Sequence, residues 1–458
     1  MKRLFSGIIA FFIAFFSYPI SFFPSQNDSE FSFADARTNF ETDSIQGQLV
    51  FTPEEQGKWF NYYGLLYSSD AHVKGVIEYS NGFGQTHCEE FFLEPGENAC
   101  FYSFIDGCLR RTKAWCVQTI RVTPLDRETM DFSLQALSLF NRAVPDREIF
   151  ISNAYFKMGV DLQWGGALSY LEDLNSNVQA VKKDGRIFVD SDASTRYDVK
   201  AVSRHVNLLN RHDAGRLVQQ SYYGTNADAR YTKGTFMGNA WPYNPVQGGN
   251  QFADCSKLVD LRVTNESIYI KCRPMDWAKD AEAITPSYME AEYSFVANCV
   301  HTSCRFVDFS GYEAGICEQE LPAFYCIEPF NRFVYYGGDT PWQEEDGLVM
   351  RADLEFWADN AQYFRSAEQW CAFVGEFEDS FGVGIYVPGK DLIKAGVYKR
   401  EQTRNTDPSM DDATSYIAVL DRYVLSCFEP ICYDFYIAGG NVHQIRDSFR
   451  AVSVLKNS

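Results

Sequence analysis

Residues 206–224 read "VNLLNRHDAGRLVQQSYYG". A segment that places one Asn, two Arg, one His, one Asp, two Gln and two Tyr within the fifteen residues from 210 onward is too polar for a plain core strand. A turn at Asp213-Ala214-Gly215 leads into a strand in which period two puts Arg216, Val218, Gln220 and Tyr222 on one face and Leu217, Gln219, Ser221 and Tyr223 on the other. Both faces carry amide or phenol groups. If the strand lies in the middle of a concave sheet, one face can present Arg216, Gln220 and Tyr222 to a ligand, while Asn210, His212 and Asp213 approach from its turn.

The surroundings are written in the same language. From about residue 46, "GQLVFT", "YYGLLYSS", "VKGVIEYS", "EEFFLE", "CFYSFID" and "WCVQTIRVTPL" recur at short intervals between Gly, Asn, Asp and Pro turns. This rhythm predicts a small antiparallel β-sandwich over 46–149, its last part a strand or a connection ending at "VPDRE". After 150 the strands continue to the C-terminus, through "VDLQWGGALSYLED", "GRIFVDSD", "LVDLRVT", "SIYIKCRP", "YMEAEYSFV" and "YDFYIAGG". Only 354–370 and the final "VHQIRDSFRAV" carry a helical period. So much strand with so little helix predicts an all-β chain: a small sandwich, then a large two-sheet body or barrel with few short helices. No repeat of propeller or solenoid length occurs.

Composition narrows the partners. The chain has 458 residues, a formal net charge of −20 and 16% aromatic residues. No Lys/Arg stripe offsets that charge, so a phosphate backbone would be repelled and nucleic acid is excluded as a partner. The aromatic share suits flat ligands such as sugar rings. The start, "MKRLFSGIIAFFIAFFSYPISFFPSQ", has two basic residues and then an apolar run, and reads as a secretory signal over 1–25. The run is long enough to span a bilayer, and Ala34-Asp35-Ala36 lies far from it for a cleavage site, so a membrane anchor is the alternative. A polar tether follows over 26–45.

Thirteen cysteines fit export, where disulfides persist. Cys88, Cys100, Cys108 and Cys116 could close within the first domain. Cys255/Cys272, Cys299/Cys304, Cys317/Cys326 and Cys427/Cys432 could staple hairpins, leaving Cys371 as an inert apolar thiol. Zinc is the rival reading, but there is no CxxC and none of the six His stands at ligand spacing, so no metal and no cofactor is expected. The sequons at Asn27 and Asn265 agree with export in a eukaryote.

"GVDLQWGGALSYL" (159–171), followed by "VNLLNRHDAGRLVQQSYYG", resembles the opening of galactose-mutarotase-like supersandwich proteins, in which a Gly-Gly strand precedes an Asn and a Gly-Arg pair. "YDFYIAGGNVHQIRDSF" (433–449) resembles the last strand and short helix of their sugar-active members. That group includes aldose 1-epimerases and several glycoside hydrolase and polysaccharide lyase families. The resemblance implies a β-supersandwich over 150–458 and a polysaccharide or oligosaccharide ligand, and leaves the reaction open. It also implies a Glu base paired with a His acid, for which Glu290 and His212 are the nearest matches.

Three clusters could carry the chemistry. In the opening segment, Asn210, His212, Asp213, Arg216, Gln220 and Tyr222 offer paired donors and acceptors to vicinal hydroxyls. The alternative is a buried polar network that ties the strand to its loops. Next, "FMGNAWPYNPVQGGNQFADCSK" (236–257) supplies Trp241 for stacking and Asn244 and Gln247 for hydroxyls. Last, Tyr288, Glu290 and Glu292 share one face of a strand, with Arg305 and Asp308 close by. Glycoside hydrolysis needs two carboxylates across the bond, which Asp213 and Glu290 or Glu292 would supply, assisted by His212. A solvated strand face is the competing explanation for the two Glu.

The expected function is therefore a secreted glycoside hydrolase. A polysaccharide lyase, with Tyr222 or His212 as base and Arg216 neutralising a uronate, and a non-catalytic glycan-binding surface protein are the alternatives.

Overall fold

A computed structural model describes residue 33, residues 36–457 and not the remainder of the chain; within that span 46, 54–58, 106–108, 110–113, 225–233, 281–282, 312–314, 344–345, 357–361, 378 and 399–406 are also left out. The expected signal segment, the Asn27 sequon, most of the cleavage candidate and Cys108 lie outside the described residues.

The protein is all-β, and every strand pairing among the described residues is antiparallel. Two small sheets come first. One runs in the order Phe40–Ile45, Gln48–Pro53, Cys116–Pro124, Val73–Ser80, Thr86–Leu93; the other is Gly96–Ser103, Tyr62–Ser69, Phe132–Phe140. Alternating apolar residues such as Val73, Ile77, Tyr63 and Leu65 meet between them with Phe91 and Tyr102, the pattern of a sandwich with one buried face per sheet.

Two large sheets follow. The ten-stranded sheet has at its centre Thr414–Val424, Ile316–Ile327, Val218–Ser221 and Ala167–Asp173, with Leu392–Tyr398 outside the first of these. The nine-stranded sheet centres on Ser287–Val296, Cys299–Asp308 and Ile431–Gly440. Met158, Leu168, Val218, Phe324 and Ile417 from one sheet pack on Ile270, Ala291, Phe373, Ile385 and Ile437 from the other in one shared core. The Gly-Gly pair shows why this packing needs glycine. Gly165 has φ +58, and a Cβ there would stand 2.1 Å from the Gln247 carbonyl oxygen; at Gly166, φ +70, it would stand 2.2 Å from Ile270.

The outer face of the nine-stranded sheet is covered in part by the small sandwich. Val259, Tyr288, Val307 and Phe309 belong to the sandwich core, and the Tyr288 hydroxyl accepts from the Phe92 amide at 2.9 Å. Helix Val442–Asn457 packs elsewhere on the same sheet, held by Arg446, whose guanidinium donates to buried Glu368. No helix among the described residues is long and apolar enough to cross a membrane.

Two features differ from the pattern the sequence predicts. The stretch 354–370 is not a helix where it is described: Tyr363–Arg365 and Trp370–Val374 are strands, because their aromatic residues bury against the sheets rather than along one helical stripe. The expected disulfides are not formed among the described cysteines. Cys299 and Cys304 lie on one strand, as do Cys317 and Cys326, and five extended residues already span about 16 Å, against the 4–7 Å a disulfide needs between Cα atoms.

Candidate functional site

The central strands of the ten-stranded sheet form the floor of a pocket with a volume of about 630 Å³. Its rim comes from two loops. One is 210–217; the other is the 407–413 segment. The Arg211 amide donates to the Ser409 carbonyl at 2.7 Å, His212 Nδ1 meets the Met410 carbonyl at 3.0 Å, and Asn210 Nδ2 donates to the carbonyls of Asp411 and Ala413. Trp164, Trp241, Trp277, Tyr223, Tyr325, Tyr398, Tyr416, Phe236 and Phe356 supply aromatic walls. The hairpin Gly234–Phe236/Asn239–Trp241 carries two of them, with Phe236 edge-on to Trp241 at 5.0 Å and to Trp277 at 5.7 Å.

At the floor stands Glu320, on the strand Ile316–Ile327. A register shift between Glu320 and Ala323 adds residues at Leu321-Pro322, so Glu320 and Tyr325 both face the pocket while Phe324 and Cys326 enter the core. The Tyr416 hydroxyl donates to Glu320 Oε1, and the Tyr223 hydroxyl to Oε2 at 3.2 Å. Burial raises the Glu320 carboxyl above its ordinary range, against the opposing pull of the Tyr416 hydroxyl, Ser221 and the Lys394 charge. Burial, and after it the Glu320 charge, also keeps both phenols far above their usual range, so they stay donors. A half-buried carboxyl with a raised proton affinity, open to a pocket, is a candidate for proton transfer to a ligand.

Arg216 reaches in from the rim. Its guanidinium donates to the Asp412 carboxylate at 3.0 Å and carbonyl at 3.1 Å, and stacks between Tyr325 and Tyr398 at 5.6 and 5.2 Å. Lys394 lines the pocket from the strand beyond Tyr416.

The structure brings together His212, Asp213, Arg216, Trp241 and Asn244 of the residues singled out in the sequence. His212 and Asp213 are exposed at the rim, and Asp213 Oδ1 accepts from the Gly215 amide at 2.9 Å. Asn244 is buried with its amide engaged: Oδ1 accepts from Trp241 Nε1 and Nδ2 donates to the Tyr222 carbonyl.

The expected face of the opening strand is inverted. Leu217 has φ +76, which turns the chain between Arg216 and Val218 and resets the alternation. Gln219, Ser221 and Tyr223 therefore line the pocket, while Gln220 and Tyr222 point between the sheets. Tyr222 stacks on Phe306 at 4.2 Å and donates to Gln220 Oε1, whose amide donates to the Glu290 carbonyl. Asn210 and Gln247 are buried ties as well; Gln247 Nε2 donates to the Gly165 carbonyl. These four form the polar network that was the alternative reading, and they do not line the pocket.

Glu290 and Glu292 lie away from the pocket, on the outer face of the nine-stranded sheet. Glu290 accepts from Arg305 at 3.0 Å and Tyr269 at 2.9 Å, with Lys271 at 3.5 Å, beneath the small sandwich whose Glu94 also takes Arg305. Burial alone would raise its pKa, but Lys271 and Arg305 outweigh it and hold the carboxyl at about 2. Asp308 is fully buried too, accepting from Ser310 and Tyr243, and burial pushes it up to about 6. A Glu290–Asp213 pair across one groove is thus not present, because the two residues face opposite sides of the two-sheet body.

Sequence reading missed Glu320, Tyr416, Lys394 and Asp412. Pro322 breaks the strand pattern of "ICEQELPAFYCI", and a central strand accepts proline only at a bulge. The remaining signal was the alternation of Glu318 and Glu320 ahead of it.

No family model matches the sequence, and no curated protein matches it. Among solved structures, a galactose mutarotase related enzyme from Lactobacillus acidophilus superposes over 64% of this chain and 97% of its own, at 11% identity and TM-score 0.37. A putative aldose 1-epimerase from Escherichia coli K12 covers 64% and 99%, at 9% and 0.35. A GH36 α-galactosidase from Geobacillus stearothermophilus covers 65% of this chain and 41% of its own, at 9% and 0.33. Likeness at this level assigns no activity to the chain.

Proposed function

We propose that the protein is a carbohydrate-active enzyme, most simply a glycoside hydrolase, that holds a polysaccharide or oligosaccharide over the ten-stranded sheet and uses Glu320 as its acid/base carboxyl. The observation that carries this reading is the combination in one pocket of nine aromatic side chains with a carboxyl of raised proton affinity gripped by two phenols. Aromatic faces stack on the apolar faces of sugar rings, and a carboxyl whose proton affinity is raised by burial suits proton transfer to a glycosidic oxygen. Asp213 at the rim is the carboxylate we assign opposite it, with His212 beside it.

The lyase alternative loses support. Tyr222 is buried between the sheets and cannot reach a ligand, and Arg216 is already paired with Asp412 rather than waiting for a uronate. We further read the chain as exported, with the boundary between sandwich and supersandwich near residue 150.

The test is a panel of neutral and acidic polysaccharides, followed by new reducing ends and by absorbance of an unsaturated product. Reducing ends without the absorbance support the hydrolase. An unsaturated product overturns hydrolase in favour of lyase, and binding without either product leaves a glycan-binding protein.

A further inference from the structure

Asp412 lines the pocket and plays no part in the proposed proton transfer. Asp412 is fixed in place: Asn210 ties the carbonyls on either side of it, and the Asp411 carboxylate accepts from the Ala413 amide at 3.0 Å. Its own carboxylate takes one end of the Arg216 guanidinium. The Nε of Arg216 is buried and has no hydrogen-bond partner, although the side chain lines the pocket and is clamped between Tyr325 and Tyr398. A buried donor left without an acceptor is costly, so the guanidinium keeps donor capacity for an acceptor that a ligand brings.

That acceptor is constrained. With Asp412 alongside, the guanidinium charge is already balanced, and the described lining holds Asp213, Glu320 and Asp412 against Arg216 and Lys394. A carboxylate, sulfate or phosphate brought to Arg216 would stand against Asp412, where like charges in a partly desolvated site repel. A hydroxyl or ring oxygen meets the same donor without that penalty. Resting on the sugar reading of the pocket, we propose that Asp412 is a specificity-determining residue: it tunes Arg216 to accept a neutral sugar oxygen and excludes acidic sugars from that position.

The experiment measures binding by calorimetry of neutral gluco-, manno-, galacto- and xylo-oligosaccharides beside galacturonate and glucuronate oligomers of equal length. The wild-type protein, Asp412→Asn and Arg216→Lys are compared, each checked for an unchanged circular dichroism spectrum and thermal midpoint. Wild type is expected to bind a neutral oligomer at least tenfold more tightly than its acidic counterpart. Asp412→Asn is expected to narrow or reverse that ratio by tenfold or more, and increasingly so at low salt. Arg216→Lys, which keeps the charge but lacks Nε, is expected to weaken neutral ligands while leaving the ratio in place. A wild-type preference for uronates, or a ratio unmoved by a folded Asp412→Asn protein, overturns the proposal while leaving the sugar reading intact. Binding of none of the oligomers overturns both. A variant that does not fold is replaced by Asp412→Ser, which removes the same charge with less bulk, and the same outcomes apply.

Discussion

Glu290→Gln should unsettle the fold and leave the chemistry alone. The Glu290 carboxyl has an ordinary value of 4.5 and is held at about 2 by Lys271 and Arg305 in spite of its burial. A folded pKa below the unfolded one contributes stability that is complete above about pH 4.5 and is lost as pH falls through about 2. The difference between those two values corresponds to about 3 kcal/mol at neutral pH. The glutamine keeps the shape but leaves Lys271, whose one described ion pair is with Glu290, buried without its anion; breaking a buried pair from one side costs about 3–5 kcal/mol. Urea unfolding at pH 7, followed by intrinsic fluorescence, should therefore show Glu290→Gln less stable by about 3 kcal/mol. The gap should close as both proteins are compared at progressively lower pH, towards pH 2. Equal stability at pH 7, or a gap that does not depend on pH, would refute the reasoning about this cluster.

Asp308, pushed up to about 6 by burial, works in the opposite direction: its contribution is present below about pH 3.8 and is lost as pH rises through about 6. Asp308→Asn should gain about 3 kcal/mol relative to wild type between pH 4 and pH 7, read as a crossing of the two stability curves; parallel curves would count against it. Gly165→Ala, with φ +58 and a Cβ 2.1 Å from a backbone oxygen, should lower stability by about 2 kcal/mol or more, whereas Gly185→Ala, with φ +85 but open space around it, should cost only about 1 kcal/mol. Trp241→Ala should weaken binding of the best glycan found by roughly tenfold with little change in the thermal midpoint; unchanged affinity would remove Trp241 from the sugar-binding wall.

What the sequence made legible was whatever depends on local pattern. Alternating strands gave the all-β body, and the 3.6 period of "VHQIRDSFRAV" gave the closing helix. The polar density that singled out His212, Asp213 and Arg216 in the sequence lies at the pocket. What stayed hidden depends on single backbone events. One positive φ at Leu217 exchanged the two faces of the opening strand, moving Gln220 and Tyr222 from the expected ligand face into the packing between sheets. One bulge beside Pro322 disguised the strand that carries Glu320. Glu290 and Glu292 do share a face, as alternation requires, but alternation cannot tell which face of a buried sheet is covered by another part of the chain.

Glu320 faces the pocket and Glu290 lies on the far sheet, so kinetics can tell which carboxyl reacts. On the first glycan shown to be cleaved, kcat and KM should be measured for Glu320→Gln and Glu290→Gln, both under conditions where the proteins are folded. Glu320→Gln should lower kcat by a factor of about 100 or more with KM nearly unchanged, the range expected for losing a general acid/base, while folded Glu290→Gln should turn over at the wild-type rate. Full turnover by Glu320→Gln, or its loss in folded Glu290→Gln, would contradict it.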